Sequence, residues 1–150
     1  MYKIISTGLG IGYIPKGGGT VASIVCCLFI YLLNASGNFS DMYTSIVITA
    51  ILMGIGVLAS YKVEPIWGKD NYRVVIDEIA GMWISMLFVP FKVSYLILAL
   101  VLFRIFDIGK PFFIKRMEKL PGGVGVMMDD VLAGIYTNVL LQIVVAYNLL

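Results

Sequence analysis

Apolar residues run along this chain in four long stretches: Val21 to Leu33, Tyr43 to Tyr61, Ile79 to Phe106 with a break at Pro90 and Lys92, and Val131 to Leu150. None is of low complexity, and polar residues collect between them. Apolar runs of this length predict helices enclosed by lipid or by other helices. A helix rises about 1.5 Å per residue, so the 19 and 20 residues of the second and fourth stretches cover the roughly 30 Å of a bilayer core. The first stretch, 13 residues, reaches only about 20 Å unless Thr20, Asn34 and Ala35 extend it. The third is too long for one helix, and Pro90, which lacks an N–H, predicts a helical hairpin with Lys92 at its tip, either fully crossing or re-entrant. The expected fold is all-α: a small polytopic membrane bundle forming one domain over residues 1–150.

Composition agrees with that pattern. Sixty per cent hydrophobic and 13% charged residues stand far from the roughly 25% charged of soluble domains. The membrane is the expected surrounding, no nucleic-acid partner is expected, and a homo-oligomer is compatible with the composition. Gly8 to Gly19 separates the start of the chain from the first apolar run, so a cleavable signal peptide is not expected. Cys26 and Cys27, adjacent in an apolar helix, are read as small buried residues.

The charges divide unevenly. Lys3, Lys16, Lys62, Lys69, Arg73, Arg104, Lys110, Lys115, Arg116 and Lys119 fall on one side of the membrane, and only Lys92 on the other. An excess of Lys and Arg marks the cytoplasmic face, so the N-terminus is expected there. Of the acidic residues only Asp41 lies outside; Glu64, Asp70, Asp77, Glu78, Asp107, Glu118, Asp129 and Asp130 share the basic side. The polar chemistry is thus expected at one membrane surface.

Four segments could carry that chemistry. Thr7 to Thr20 holds six glycines before a helix expected to begin at Thr20 or Val21, and such a loop can turn backbone N–H groups toward a phosphate. It has neither the Gly-Lys-Ser/Thr of a Walker loop nor a preceding strand. Asp77 and Glu78 stand side by side at the start of the hairpin, an expensive placement unless they are paired or bind a cation. Arg104, Asp107 and Lys110, three apart, are expected on one helical face. Pro121 to Gly125 reads as a second glycine-rich turn, leading to Asp129 and Asp130 at the entrance of the last helix, a pair suited to hard cations such as Mg²⁺.

The chain has no histidine, which excludes histidine phosphatases and Ser-His-Asp hydrolases. Neither cysteine opens a phosphate loop closed by arginine, so a cysteinyl-phosphate route has no candidate. Carboxylates, basic residues and glycine loops remain, the inventory of metal-assisted phosphoryl transfer.

Gly19-Thr20-x-x-Ser23, Val75-Ile76-Asp77-Glu78-x-x-Gly81-x-Trp83, Phe103-Arg104-x-x-Asp107-x-x-Lys110-Pro111 and Gly122-Gly123-x-Gly125-x-Met127-x-Asp129-Asp130-x-x-Ala133-Gly134 resemble, in order, the four sequence blocks of the phosphatidylglycerophosphatase A family. The blocks and their connecting spans run from about Thr7 to Gly134, nearly the whole chain. The resemblance implies a Mg²⁺-dependent lipid phosphatase of the bacterial inner membrane, hydrolysing the terminal phosphomonoester of phosphatidylglycerophosphate. Gly18 stands where the family commonly has proline and Ala22 where it often has glycine, departures that touch loop stiffness and not charge.

On this reading Asp77, Glu78, Asp129 and Asp130 hold one or two Mg²⁺ ions, with Asp107 beside them as ligand or base. Arg104 and Lys110 clamp the phosphate, assisted by Lys16 and by backbone N–H groups around Gly19 and Thr20. The alternatives are a CDP-alcohol phosphotransferase, whose Asp-Gly-x-x-Ala-Arg run is absent, and a non-enzymatic transporter or scaffold, which would spread its charges along a path through the membrane.

Overall fold

A computed structural model describes residues 1–37, 42–69 and 71–149; Asp41, Asp70 and Leu150, which entered the sequence reading, lie outside the described residues. Among the described residues the protein is all-helical: α1 (Tyr2–Ser6), a 3₁₀ turn (Ile11–Tyr13), α2 (Gly18–Ala35), α3 (Met42–Trp67), α4 (Ile76–Ser85), α5 (Val93–Gly109), α6 (Ile114–Met117) and α7 (Gly122–Ala146). Three of these, α2, α3 and α7, are long and apolar enough to cross a membrane.

The first apolar stretch does extend: α2 takes in Gly18 to Thr20 at its start and Asn34 and Ala35 at its end, reaching 18 residues. The hairpin forms, but its break precedes Pro90. α4 ends at Ser85 after 10 residues, about 15 Å of rise and too little to cross the bilayer core. Trp83 O and Ile84 O accept from the backbone N–H groups of Met86 and Leu87, and the carbonyls that follow, Ser85 O and Leu87 O, are met by side chains of α7. Asn138 Nδ2 donates to Ser85 O at 3.2 Å and to Leu87 O at 2.7 Å, and Gln142 Nε2 donates to Leu87 O at 3.3 Å. Carbonyls freed at a helix end in apolar surroundings need donors of this kind.

The last helix corrects the sequence reading. It begins at Gly122, not Val131, and the Gly122–Gly125 run is helix, not turn. Close packing is the reason. A Cβ on Gly123 would overlap the Val57 carbonyl of α3, and one on Gly125 would overlap the Leu120 carbonyl. Asp129 and Asp130 consequently sit two turns inside α7, both buried.

α7 is the axis of the bundle, packed by α3, α4, α5 and α6. Its closest neighbour is α4. A Cβ on Gly81 would stand 2.5 Å from the Asp130 carbonyl oxygen and 2.6 Å from the Phe103 ring, and one on Gly134 would overlap the Gly81 carbonyl. The two glycines therefore let the backbones touch where no side chain fits, the device by which small residues join helices in lipid. Around this crossing the core is closed by Met82, Trp83, Tyr95, Phe103, Ala133 and Leu141. Cys26 and Cys27 are free and buried in the same cluster, as expected.

Helices α2, α4 and α7 begin, and α3 and α5 end, at one end of the bundle: Gly19 meets Glu78, Gly122 meets Tyr61, Lys69 Nζ donates to Leu120 O and Lys110 Nζ to Asp129 Oδ2. The N-terminal segment is fastened there: Val75 N–H donates to Ser6 O at 2.8 Å, and Gly12 lies so close to Arg73 that a Cβ would overlap its carbonyl. Trp67 receives the cations of Lys3 and Arg73 on its ring, at 5.7 and 5.8 Å from the centroid.

Candidate active site

The crossing of α4 and α7 decides where the carboxylates go. Asp77 lies four residues before Gly81 and Asp130 four residues before Gly134, so each acid stands one turn above the glycine at which the helices touch. Both helices start at the same end, and the two acids are thus brought face to face. Ligand oxygens of Asp77, Glu78 and Asp130 all lie within 4.8 Å of one another. Asp77 and Glu78 occupy the first turn of α4, where the helix dipole favours negative charge. Asp107 of α5 lies close enough to Asp130 and Glu78 for its charge to act on both.

Three carboxylates this close repel unless protons or a cation intervene. Burial raises the Asp77 carboxyl well above the usual range, and Glu78, Asp130 and Asp129 raise it further. Burial also raises Glu78, with Asp107 adding to the effect, while the hydrogen bond from Asp77 and the charge of Arg104 oppose it. Among the described residues, Glu78 Oε2 is buried without a hydrogen-bond partner. An all-oxygen donor set with an orphaned acceptor fits a hard divalent cation.

A cationic flank adjoins the acids. Arg104 pairs with Asp107 through one terminal nitrogen, leaving its Nε buried and without a partner, a donor suited to an anion's oxygen. Lys110 does not continue the α5 face as the three-residue spacing predicts. Pro111 follows it, helix geometry before proline is disfavoured, and α5 ends at Gly109 with Lys110 left-handed at φ 42°. The side chain turns instead to Asp129 Oδ2 at 2.8 Å and to Glu118. Burial alone would lower the Lys110 ammonium, but these two carboxylates override it and hold the pKa above its ordinary value.

Asp129 and Asp130 thus divide. Adjacent residues on a helix point about 100° apart: Asp130 joins Asp77 and Glu78, while Asp129 Oδ2 accepts from Lys110. Gly19 comes up against Glu78 so closely that a Cβ would overlap Oε1, which places the first turn of α2 beside the acids. That turn starts at Gly18, after left-handed Gly17, ahead of the Thr20 or Val21 expected from the sequence. The N–H groups of Gly18, Gly19 and Thr20 precede the first intrahelical bond, from Val21 N–H to Gly17 O. Lys16 is exposed in the preceding loop. Glu118, the second partner of Lys110, is the residue that sequence reasoning missed; nothing in its spacing marks it, because the contact depends on how the 110–121 connection folds back.

A sequence model of a family described as phosphatidylglycerophosphatase A matches residues 4–145. A Bacteroides thetaiotaomicron protein named "Putative phosphatidylinositol-3-phosphatase" is 42% identical over 147 residues, covering 93% of this chain and 91% of its own. Phosphatidylglycerophosphatase A of Haemophilus influenzae is 34% identical over 89% of this chain and 82% of its own. Its Escherichia coli counterpart is 29% identical over 89% and 77%. No solved structure matches the chain.

Proposed function

The chain belongs to the phosphatidylglycerophosphatase A family of lipid phosphatases, and we propose that it hydrolyses the terminal phosphomonoester of phosphatidylglycerophosphate, with Mg²⁺, at the cytoplasmic face of a bacterial inner membrane. The observation that carries this reading is the pairing of two orphans: a buried carboxylate oxygen among three acids, and a buried guanidinium N–H on Arg104, the ion-pair partner of the Asp107 that flanks them. One asks for a cation and the other for an anion, and a metal-bound phosphate is both.

Asp77, Glu78 and Asp130 would hold the ion, with Asp129 alongside as a further candidate. When bound, Mg²⁺ neutralises phosphoryl oxygens and favours attack on phosphorus. Arg104 offers its free Nε–H to a phosphate oxygen, Lys110 supplies a second positive charge, and the first-turn N–H groups at Gly19 and Thr20 face the same anion, with Lys16 adding long-range attraction. Asp107 takes a proton from the attacking water as the water oxygen bonds to phosphorus, and returns it to the glycerol oxygen as the bond from phosphorus to that oxygen breaks. The lipid's acyl chains stay among the helices, so only the headgroup reaches the acids. Ten of the eleven basic residues on the same side as the acids support the cytoplasmic orientation.

The test is phosphate release by purified protein. Phosphatidylglycerophosphate should be turned over with Mg²⁺ and not after EDTA, with no CMP formed. Asp77→Asn and Asp130→Asn should lower kcat by roughly 100-fold or more while the proteins still fold. Full activity in both variants would sink the assignment. The 42% identity to a protein named for phosphatidylinositol-3-phosphate favours one second reading, the same chemistry on that lipid. The two substrates compared by kcat/KM decide between them.

A further inference from the structure

Lys110 is the less buried end of the cationic flank, and it is already occupied. Its ammonium bridges two carboxylates of unequal freedom. Asp129 is fixed inside α7 with its side chain 7% exposed, whereas Glu118 closes the four-residue α6 with its side chain 31% exposed. A carboxylate and a phosphate oxygen make the same kind of charge-assisted bond to an ammonium. From this arrangement we infer that Glu118 is a stand-in anion: it fills the phosphate position on Lys110 in the ligand-free enzyme and is displaced when the phosphomonoester binds.

The inference rests on the proposed role of Lys110 and extends it to a residue outside the sequence blocks. Asp129 cannot leave, because it is buried on the helix that forms the bundle's axis. Glu118 can, because α6 is a single turn and the side chain reaches solvent. Exchange has two consequences. Lys110 is held in its bound-state position before substrate arrives, and every phosphate, product included, must compete with an intramolecular carboxylate. Glu118 is therefore a positioning residue that sets affinity for the phosphate group and speeds the loss of inorganic phosphate.

Glu118→Gln removes the competing charge and Glu118→Asp withdraws it by one methylene. With a partly exposed ion pair as the competitor, both variants should lower KM for the lipid phosphate about three- to fivefold, and lower the inhibition constant of inorganic phosphate by a similar factor. Neither should raise kcat as much as it lowers KM. A purely structural Glu118 would act otherwise: folded variants would show an unchanged or raised KM and an unchanged phosphate inhibition constant, and that result overturns the inference. Lys110→Met serves as the reference, raising both constants. Absence of phosphate release by the wild-type enzyme would refute the proposed function itself, whereas normal wild-type turnover with insensitive Glu118 variants would refute only the stand-in.

Discussion

α3 and α7 are nearly equal in length, 26 and 25 residues, and both can cross a membrane, yet 11% of the most apolar window of α3 is buried inside the protein against 56% for α7. α3 presents Ile46, Val47, Ile51, Ile55 and Leu58 to its surroundings. α7 carries Asp129, Asp130, Asn138 and Gln142 along with Gly123, Gly125 and Gly134. The contrast shows what lipid as solvent does to a helix. A span facing acyl chains needs only apolar surface, while a span facing other helices can place small residues at crossings and polar groups where partners await them. The less apolar helix is the one that organises the site.

The sharpest way to break the contrast is to fill a crossing. Gly134→Val puts a branched side chain where even a Cβ overlaps the Gly81 carbonyl. Separating α4 from α7 should cost about 3 kcal/mol or more and abolish activity by pulling Asp77 and Glu78 away from Asp130. Thermal unfolding in detergent, paired with phosphate release, measures both. A stable, active Gly134→Val protein would mean that the glycine contact does not set the carboxylate cluster.

Metal binding sharpens the contrast through pH. Asp77 and Glu78 both have raised carboxyl pKa values in the folded protein, from ordinary values of 3.8 and 4.5. In metal-free protein the unfolded chain loses these protons first. Their contribution to stability is therefore full below about pH 4 and falls as pH rises toward the raised folded values. Mg²⁺ requires the ionised forms, so its apparent affinity should rise up to about tenfold per pH unit for each proton released. Melting temperatures with and without Mg²⁺ should diverge as pH rises, and divergence of the opposite sign would contradict a carboxylate site.

A smaller effect is expected at the other end of α7. Asn138→Leu leaves the carbonyls of Ser85 and Leu87 with fewer donors, a loss of about 1 kcal/mol by the usual value of such bonds between membrane helices. Gln142 keeps one bond to Leu87 O, so the double variant with Gln142→Leu should lose more than the sum of the singles. Simple additivity, read from melting temperatures, would show that the two amides do not share the cap.

Much of this was legible in the sequence because charge beside hydrocarbon is conspicuous. Asp77, Glu78, Asp129 and Asp130 are expected to meet, with Asp107 nearby; the described structure clusters Asp77, Glu78 and Asp130, sets Asp107 near them, and turns Asp129 Oδ2 toward Lys110. The hairpin was legible from Pro90, but the true end of α4 at Ser85 was not, because the carbonyls at and just past it find donors on Asn138 and Gln142, which read only as members of the last apolar stretch. Gly122 to Gly125 misled for a related reason. Glycine weakens an isolated helix, so the run reads as a turn until α3 is seen to press against it. Beginning α7 at Gly122 would also have separated Asp129 from Asp130 by the helical step, a distinction invisible while both stood at a helix entrance.

The smallest expected effect tests the comparison from the other side. Gly54 of α3 has open space where a Cβ would stand, unlike Gly56 two residues on, whose Cβ would stand 2.5 Å from the Met127 side chain. If lipid covers that face, Gly54→Ala should only relieve the helix of a flexible residue and raise stability by about 0.5–1 kcal/mol without touching activity. If a second copy of the chain covers it, the added methyl group would separate two closely packed helices, and stability would instead fall in a manner that depends on protein-to-detergent ratio. Melting curves of Gly54→Ala at several such ratios therefore establish whether the apolar face of α3 ends at lipid, which is what its difference from α7 requires.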